Sequence, residues 1–231
     1  MEDTSTDISS DSFKITFKER VATCAIENAK IFQNNFVQYE YCICSKAFTS
    51  GYSFTKALDG NYLHLVGVNT SLPADSFFKK CLNGTLTEND FDFSKPGVGR
   101  NALKGSVRHK IKVLPDMVDI FSNKGIYAQQ GFSKNQIACA FASSDGNCTL
   151  GFANSGHPKS LLRGDHLENN KRYPVDIVLR RKTGEEIFDE VLWKIDDSIS
   201  DYKDTLKQIV SKDVHESLYG KEIEPSESDE T

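Results

Sequence analysis

What the sequence lacks narrows it first. No apolar run in its 231 residues approaches the ~20 needed to cross a bilayer. The opening MEDTSTDISSDS is polar and acidic, so neither an export signal nor a membrane anchor is expected, and the chain reads as cytoplasmic. None of the six cysteines forms a CxxC pair; without an export signal they read as reduced core residues rather than a disulfide framework. Cys42-Ile43-Cys44 offers two ligands without the second pair that closes a tetrahedral zinc site. Gly97-Val98-Gly99 lacks the Lys-Ser/Thr ending and the strand-to-helix setting of a phosphate loop. There is no GxSxG, no zinc-protease helix and no carboxylate cluster suited to Mg²⁺. Those absences exclude the common nucleotidase, serine-hydrolase and metalloprotease designs, and no cofactor is expected. Internal repeats are absent too.

What is present is aromatic and unevenly charged. Fifteen Phe and eight Tyr supply large apolar groups for one domain of ordinary size. The net charge of −5, taken alone, argues against nucleic acid, but its distribution is lopsided. Residues 1–11 hold four acids and no base, and residues 213–231 hold seven acids and one Lys, leaving 22 acids against 27 bases in the body. Between residues 94 and 163, ten Lys and Arg face only Asp116, Asp119 and Asp145. A basic patch in an acidic chain is a candidate polyanion site, with an ordinary solvated surface as the alternative. The ends, 1–12 and 213–231, read as disordered acidic segments around a single domain over 13–212.

Periodicity divides that domain. Residues 15–36 read as an amphipathic helix on Phe17, Val21, Cys24, Ala25, Phe32 and Phe36. Residues 39–48 are β-rich, with Tyr41, Ile43 and Ser45 on one face and Cys42 and Cys44 on the other. A short helix is expected over 52–58, and another after Pro73 with Ser71 as its cap and Asn83-Gly84 at its end. A further helical turn is expected at 87–91. Over 101–113, Leu103, Val107 and Ile111 form an apolar row beside a basic row of Arg100, Lys104, Arg108 and Lys112, all at i+4 spacing. Pro115 should break or kink that helix, and a strand over 108–114 competes with it. A hairpin around Thr183-Gly184 pairs Arg181 with Asp189, Arg180 with Glu190 and Asp176 with Lys194, which puts Ile177, Leu179, Val191 and Trp193 on one face. A polar helix is expected over 201–212. Helices first and an antiparallel sheet after them make the α+β pattern.

The stretch that organises the rest is 137–163, IACAFASSDGNCTLGFANSGHPKSLLR. Asp145-Gly146 between two apolar runs signals a two-residue hairpin turn. Its register pairs Ser143 with Cys148, Phe141 with Leu150 and Cys139 with Phe152. One face then carries Ile137, Cys139, Phe141, Cys148, Leu150 and Phe152. The other carries Ala138, Ala140, Ala142, Thr149, Gly151 and Ala153, so bare that a helix or a ligand must approach the backbone there.

Beside that face lie residues with chemistry. His64 interrupts the apolar run Tyr62-Leu63-His64-Leu65-Val66-Gly67-Val68; such a lone His is more often a satisfied core residue than a catalyst. His157 precedes Pro158 at a strand entrance, also a common structural place. Lys159, Ser160 and Arg163 share a strand, with Ser160 on the face opposite the other two. With Lys104 and Arg108 these residues supply an imidazole, cations and a hydroxyl. That set suffices for metal-independent RNA cleavage: a base takes the 2′-OH proton, cations hold the scissile phosphate, and an acid protonates the 5′-oxygen.

The run 62–68 resembles the "F/Y-x-H-L-T-G-V/I" box of the phage- and mobile-element-associated nucleases in the barnase, EndoU, colicin and RelE-like superfamily, fourth phage-type group. SFFKKCLNGTLTENDFDF (76–93), KGSVRHKIKVL (104–114), residues 139–152 and residues 158–163 continue the likeness in the same order, over roughly 15–195. The resemblance implies N-terminal helices on an antiparallel sheet of about four or more strands, with the site on the sheet face. It implies a ribonuclease acting as a toxin or phage-conflict effector, with RNA as substrate and an antitoxin or immunity protein as a further partner. It implies His64, Lys104, Arg108, Ser160 and Arg163 as site candidates, all but Arg108 catalytic; the basic row and the 157–163 strand add Arg100, Lys112, His157 and Lys159, which with Arg108 are expected to bind the substrate. Val66 stands where the box often has Thr. A catalytically inactive module that binds RNA, a nucleotide or a protein is the alternative on the same fold.

Overall fold

The computed structural model describes residues 15–117, 119–134, 137–195 and 199–221; the expectations for 1–12 and 222–231 lie outside them. Helix α1 (Phe17–Phe32) begins at a reciprocal cap, in which Thr16 accepts from the Glu19 N–H and Glu19 from the Thr16 N–H. It buries Val21, Ala25, Ala29 and Phe32, and a π-helical turn (Gln33–Val37) extends it so that Phe36 is buried too. Helices α2 (Asn61–Val66), α3 (Ala74–Leu82) and α4 (Arg100–Met117) complete the layer, and α1 packs on α3 and α4. Helix α3 begins at Pro73, with no side-chain cap from Ser71. The turn expected at 87–91 is a 3₁₀ turn, Glu88–Asp90.

Residues 108–114 are helical, and α4 passes through Pro115 to Met117. Proline has no N–H for the carbonyl four residues back, Ile111. The Cys24 thiol of α1 donates to that carbonyl at 3.3 Å, which satisfies the orphan and ties the two helices together.

The sheet is antiparallel, with strand order β2-β1-β9-β3-β6-β7-β8 and β10 also paired with β9. Its strands are β1 (Tyr39–Ser45), β2 (Tyr52–Thr55), β3 (Tyr127–Gln130), β6 (Phe141–Ser144), β7 (Cys148–Phe152), β8 (Pro158–Arg163), β9 (Tyr173–Lys182) and β10 (Glu190–Lys194); β4 (Ser133–Lys134) and β5 (Ile137–Ala138) pair separately. Residues 52–55, expected to be helical, are thus a strand, held by the β1 ladder from Tyr41 to Cys44. The sheet curls until its ends meet: the Lys56 N–H donates to the Gly156 carbonyl at 3.1 Å, and His157 Nδ1 bonds the Lys56 carbonyl at 2.9 Å.

One face of the sheet meets the helices. Phe32, Tyr62 and Phe78 form an aromatic cluster with ring centres 5.1–5.7 Å apart. Phe36, Phe121, Phe152 and Phe141 carry it down to the strands at 4.6–6.0 Å. Each such ring, fully buried, contributes roughly 1.5–3 kcal/mol from apolar surface alone.

The β6–β7 hairpin differs from expectation in register. Phe141 pairs with Phe152, Ser143 with Leu150 and Ser144 with Thr149. The Asp145 carboxylate accepts from the N–H groups of Asn147 and Cys148, both at 2.9 Å, which widens the turn beyond two residues. The partner moves by two residues, so faces are preserved. Phe141 (3% exposed) and Leu150 (0%) lie in the core as expected. Cys139 does not join them: the Cys139 N–H bonds the Phe132 carbonyl, the ladder kinks, and the side chain crosses to the outer face with Phe132, Ala142 and Leu167. What approaches bare Gly151 is therefore neither a helix nor a ligand. A Cβ there would lie 2.6 Å from Cys139 Sγ. Ala140 packs toward the main core rather than outward.

In the second hairpin Arg180 pairs with Glu190 as expected, but a bulge at Leu192 sets Trp193 opposite Val178 and Lys194 opposite Ile177. Trp193 thus enters the helix-side core, and its indole N–H donates to the Phe121 carbonyl at 2.8 Å. Asp176 instead accepts from the Tyr202 hydroxyl, and Arg181 pairs with Glu40 at 2.6 Å. The expected helix over 201–212 is broken into a 3₁₀ turn (Ser200–Tyr202) and a short α5 (Lys203–Leu206). The stretch read as tail from 213 opens with α6 (Lys212–Tyr219), which buries Val214, His215 and Leu218. Val214 and Leu218, with Tyr202 and Leu206, cover Cys42, Cys44, Ile177 and Leu179 on the outer face. Both cysteines of the CxC are thereby buried among apolar side chains.

Candidate active site

Helix α2 turns Tyr62, Leu65 and Val66 inward, and the Tyr62 hydroxyl donates to the Ala25 carbonyl at 2.7 Å. His64 is left on the exposed side. The helix stops at Gly67, whose φ of +82° is left-handed and whose N–H bonds the Leu63 carbonyl at 2.8 Å. Beyond it, Asn69 and Asp92 exchange backbone hydrogen bonds of 3.1 and 2.8 Å. The same loop brings Lys95 close enough to act on His64 and Lys110.

Helix α4 carries two rows, of which the first reaches the end of α2 through Lys110. The buried row is Leu103, Val107, Leu114 and Met117, and half-buried Lys110 falls on the same row by helical spacing. The Lys110 ammonium donates to the backbone carbonyl of His64. Burial, with help from Lys95, pulls the Lys110 pKa down to about 8. The His64 imidazole is likewise held below its ordinary value, first by desolvation and then by Lys110 and Lys95. Its neutral, proton-accepting form is favoured.

The second row is basic. Lys104 Nζ and Arg108 Cζ lie 5.4 and 5.3 Å from the centre of the Phe17 ring, and Arg20 Cζ lies 5.6 Å from it. Lys104 is also 6.0 Å from Phe93, whose ring centre is 5.2 Å from that of Phe17. Phe17, Phe93, Lys18, Arg100 and Lys104, with Thr16 and the acid Glu88, line a cleft of about 220 Å³. Lys112 continues the row in solvent. Among the described residues no acid lies within ion-pair distance of Arg20, Arg100, Lys104, Arg108 or Lys112. Ring contacts order Arg20, Lys104 and Arg108, at about 0.5–1 kcal/mol each where exposed.

The residues singled out from sequence fall into two sets. His64, Arg100, Lys104, Arg108 and Lys112 lie in the helical layer. Arg163 stands opposite Cys148 and shares the helix side of β8 with Leu161. Ser160 stands opposite Gly151, 3% exposed, and points to the outer face. Lys159 is tied to the Ala138 carbonyl at 2.8 Å, and His157 to Lys56. Ser160 is therefore not brought together with His64.

Sequence reasoning missed Lys110, Lys95 and Phe17. A signal existed for the first: one charge in the apolar row 103–107–110–114–117. Phe17 and Lys95 carry no such mark, since only the folded chain sets them beside α4. Among the described residues no three His, Cys, Asp or Glu side chains converge as metal ligands, and no helix is long and apolar enough to cross a membrane.

No curated protein and no solved structure matches the chain. A family model does, over residues 26–228, a span that takes in α2, α4, the whole sheet and the C-terminal helices but begins after Phe17, Lys18 and Arg20. By that match the chain belongs to the family described as phage-Barnase-EndoU-ColicinE5/D-RelE like nuclease4.

Proposed function

We propose that the chain is a metal-independent endoribonuclease, acting as a toxin or phage-conflict effector and restrained by an antitoxin or immunity protein. The observation that carries the reading is the basic row of α4, in which Lys104 and Arg108 rest on Phe17 and, for Lys104, Phe93, with no acid at ion-pair distance among the described residues; His64 on α2, its pKa lowered, is the base. His64 takes the proton of an RNA 2′-OH. The 2′-oxygen attacks the adjacent phosphorus, the P–O5′ bond breaks, and a 2′,3′-cyclic phosphate forms. Lys104 and Arg108 hold the phosphates along α4, and Arg163 approaches from β8. Their charge stabilises the negative charge that grows on the phosphoryl oxygens. Ser160 has no part in this scheme, because it faces away.

The test is cleavage of RNA by the purified chain in EDTA, with the product ends identified. The reading expects cleavage to continue and the 5′ fragments to end in 2′,3′-cyclic phosphate. Because the His64 pKa is lowered, the acid limb of kcat/KM should lie below pH 6.5. A requirement for Mg²⁺ overturns the mechanism. A folded chain that binds RNA without cutting it makes the protein a binding module.

A further inference from the structure

Lys110 occupies an odd position. Its neighbours along the row, Leu103, Val107, Leu114 and Met117, are all buried and apolar, whereas Lys110 is a half-buried charge whose ammonium is bound to one backbone carbonyl. A helix end needs no such group, since Gly67 already closes α2 through its own N–H. Gly67 also makes room: a Cβ there would lie 2.7 Å from Lys110 Cδ and 3.0 Å from Nζ. The glycine of the His-Leu-Val-Gly run thus serves the lysine as well as the turn.

We propose that Lys110 is the positioning residue of His64: bound to the His64 backbone carbonyl through the gap left by Gly67, it fixes the end of α2 and holds a positive charge close to the imidazole. This rests on the reading of His64 as the catalytic base. Lys110 touches no substrate in this role. The charges that act on His64 are Lys110 from α4 and Lys95 from the loop before it. From the other elements packed on α2, Asp75 of α3 lies at the opposite end beside Gly60, Lys159 of β8 is bound to Ala138, Arg163 of β8 stands opposite Cys148, and Cys24 of α1 is bound to Ile111. Among the groups nearest the imidazole, then, the charge is positive.

The experiment is an NMR titration of the His64 ring in the wild type, Lys110→Met, Lys110→Gln and Lys110→Arg, with amide exchange at Gly67 and Val68. The glutamine keeps a donor to the carbonyl without charge; the methionine removes both. His64 should titrate higher in the Met and Gln variants and stay low in the Arg variant, and the end of α2 should lose exchange protection most in the Met variant. In Lys110→Gln, kcat/KM for RNA should fall on the acid side, about tenfold if the His64 pKa rises by one, and little above pH 8. If Lys110→Met does not fold, the Gln and Arg variants carry the comparison. An unchanged His64 titration in folded Lys110→Gln overturns the proposal. The ring titration needs no RNA, so a wild type that cuts no RNA overturns the ribonuclease reading while the link between Lys110 and His64 is still measured.

Discussion

The cations of α4 and those of the C-terminal third have been put to different uses. Between residues 171 and 181 the Arg and Lys side chains meet acids: Lys171 with Glu168 at 2.9 Å, Arg172 with Asp165 at 2.5 Å, Arg180 with Glu190 at 2.7 Å and Arg181 with Glu40 at 2.6 Å. Along α4, Lys104 and Arg108 lie over Phe17, and Lys110 is bound to a carbonyl. A cation bound to a carboxylate has little field left for a ligand. One resting on an aromatic face or a carbonyl keeps its full charge. Net charge alone misleads here, because the −5 of the chain sums two acidic ends with a body that carries more bases than acids.

The comparison can be broken most decisively at His64. On the proposed mechanism His64→Ala should lower RNA cleavage by about 10²–10⁴-fold, the usual share of acid-base catalysis. Its melting temperature and RNA affinity should hold, because the side chain is exposed; a fall in melting temperature matched by the loss of activity makes His64 structural. The shared sheet should respond in stability instead. Leu150→Ala, deep in the core, should cost about 2–5 kcal/mol in denaturant unfolding and leave the chemistry of the folded fraction unchanged.

Lys110 sharpens the contrast through pH. Its folded pKa of about 8 lies below the ordinary 10.5, so between those values the unfolded chain binds more protons. Stability should therefore rise with pH across that window, and the rise should vanish in Lys110→Met. Unfolding curves from pH 7 to 10.5 decide this, and an equal rise in the variant refutes the burial of that charge.

The paired and unpaired cations should then part company on RNA. Lys104→Ala/Arg108→Ala should weaken binding and make the salt dependence shallower, by about 0.7 in slope for each single-strand phosphate no longer neutralised. Arg180→Ala should leave both alone. The smallest effect belongs to the ion pair itself: a double-mutant cycle on Arg180 and Glu190, a partly exposed pair, should give about 1 kcal/mol or less. A salt slope that follows Arg180 instead of the α4 row would reverse the assignment.

Local chemistry was legible before folding. The amphipathic α1, the alternating faces of β1, the helix after Pro73, both hairpins and the α+β order all follow from period and turn residues. So does the basic row of α4, because i+4 spacing needs no tertiary knowledge. Errors gathered where neighbours override propensity. Residues 52–55 are a strand because β1 offers a ladder. Trp193 changed faces because of one bulge residue, and Cys139 because of one kink. In a period-two strand a single displaced residue inverts every side chain after it.

The site divides the same way. That His64 is set in a box, and that α4 carries an apolar and a basic side, are properties of the sequence itself. Which cations lack acids is not, since pairing depends on partners up to 141 positions away, as for Arg181 and Glu40. Tertiary structure alone turned Ser160 away from His64, carried Phe17 under Lys104 and Arg108, and threaded Lys110 past Gly67. The physical reason is range: periodicity and caps act within a few residues, whereas burial, pairing and pKa are settled by whichever distant groups the sheet and helices bring into contact.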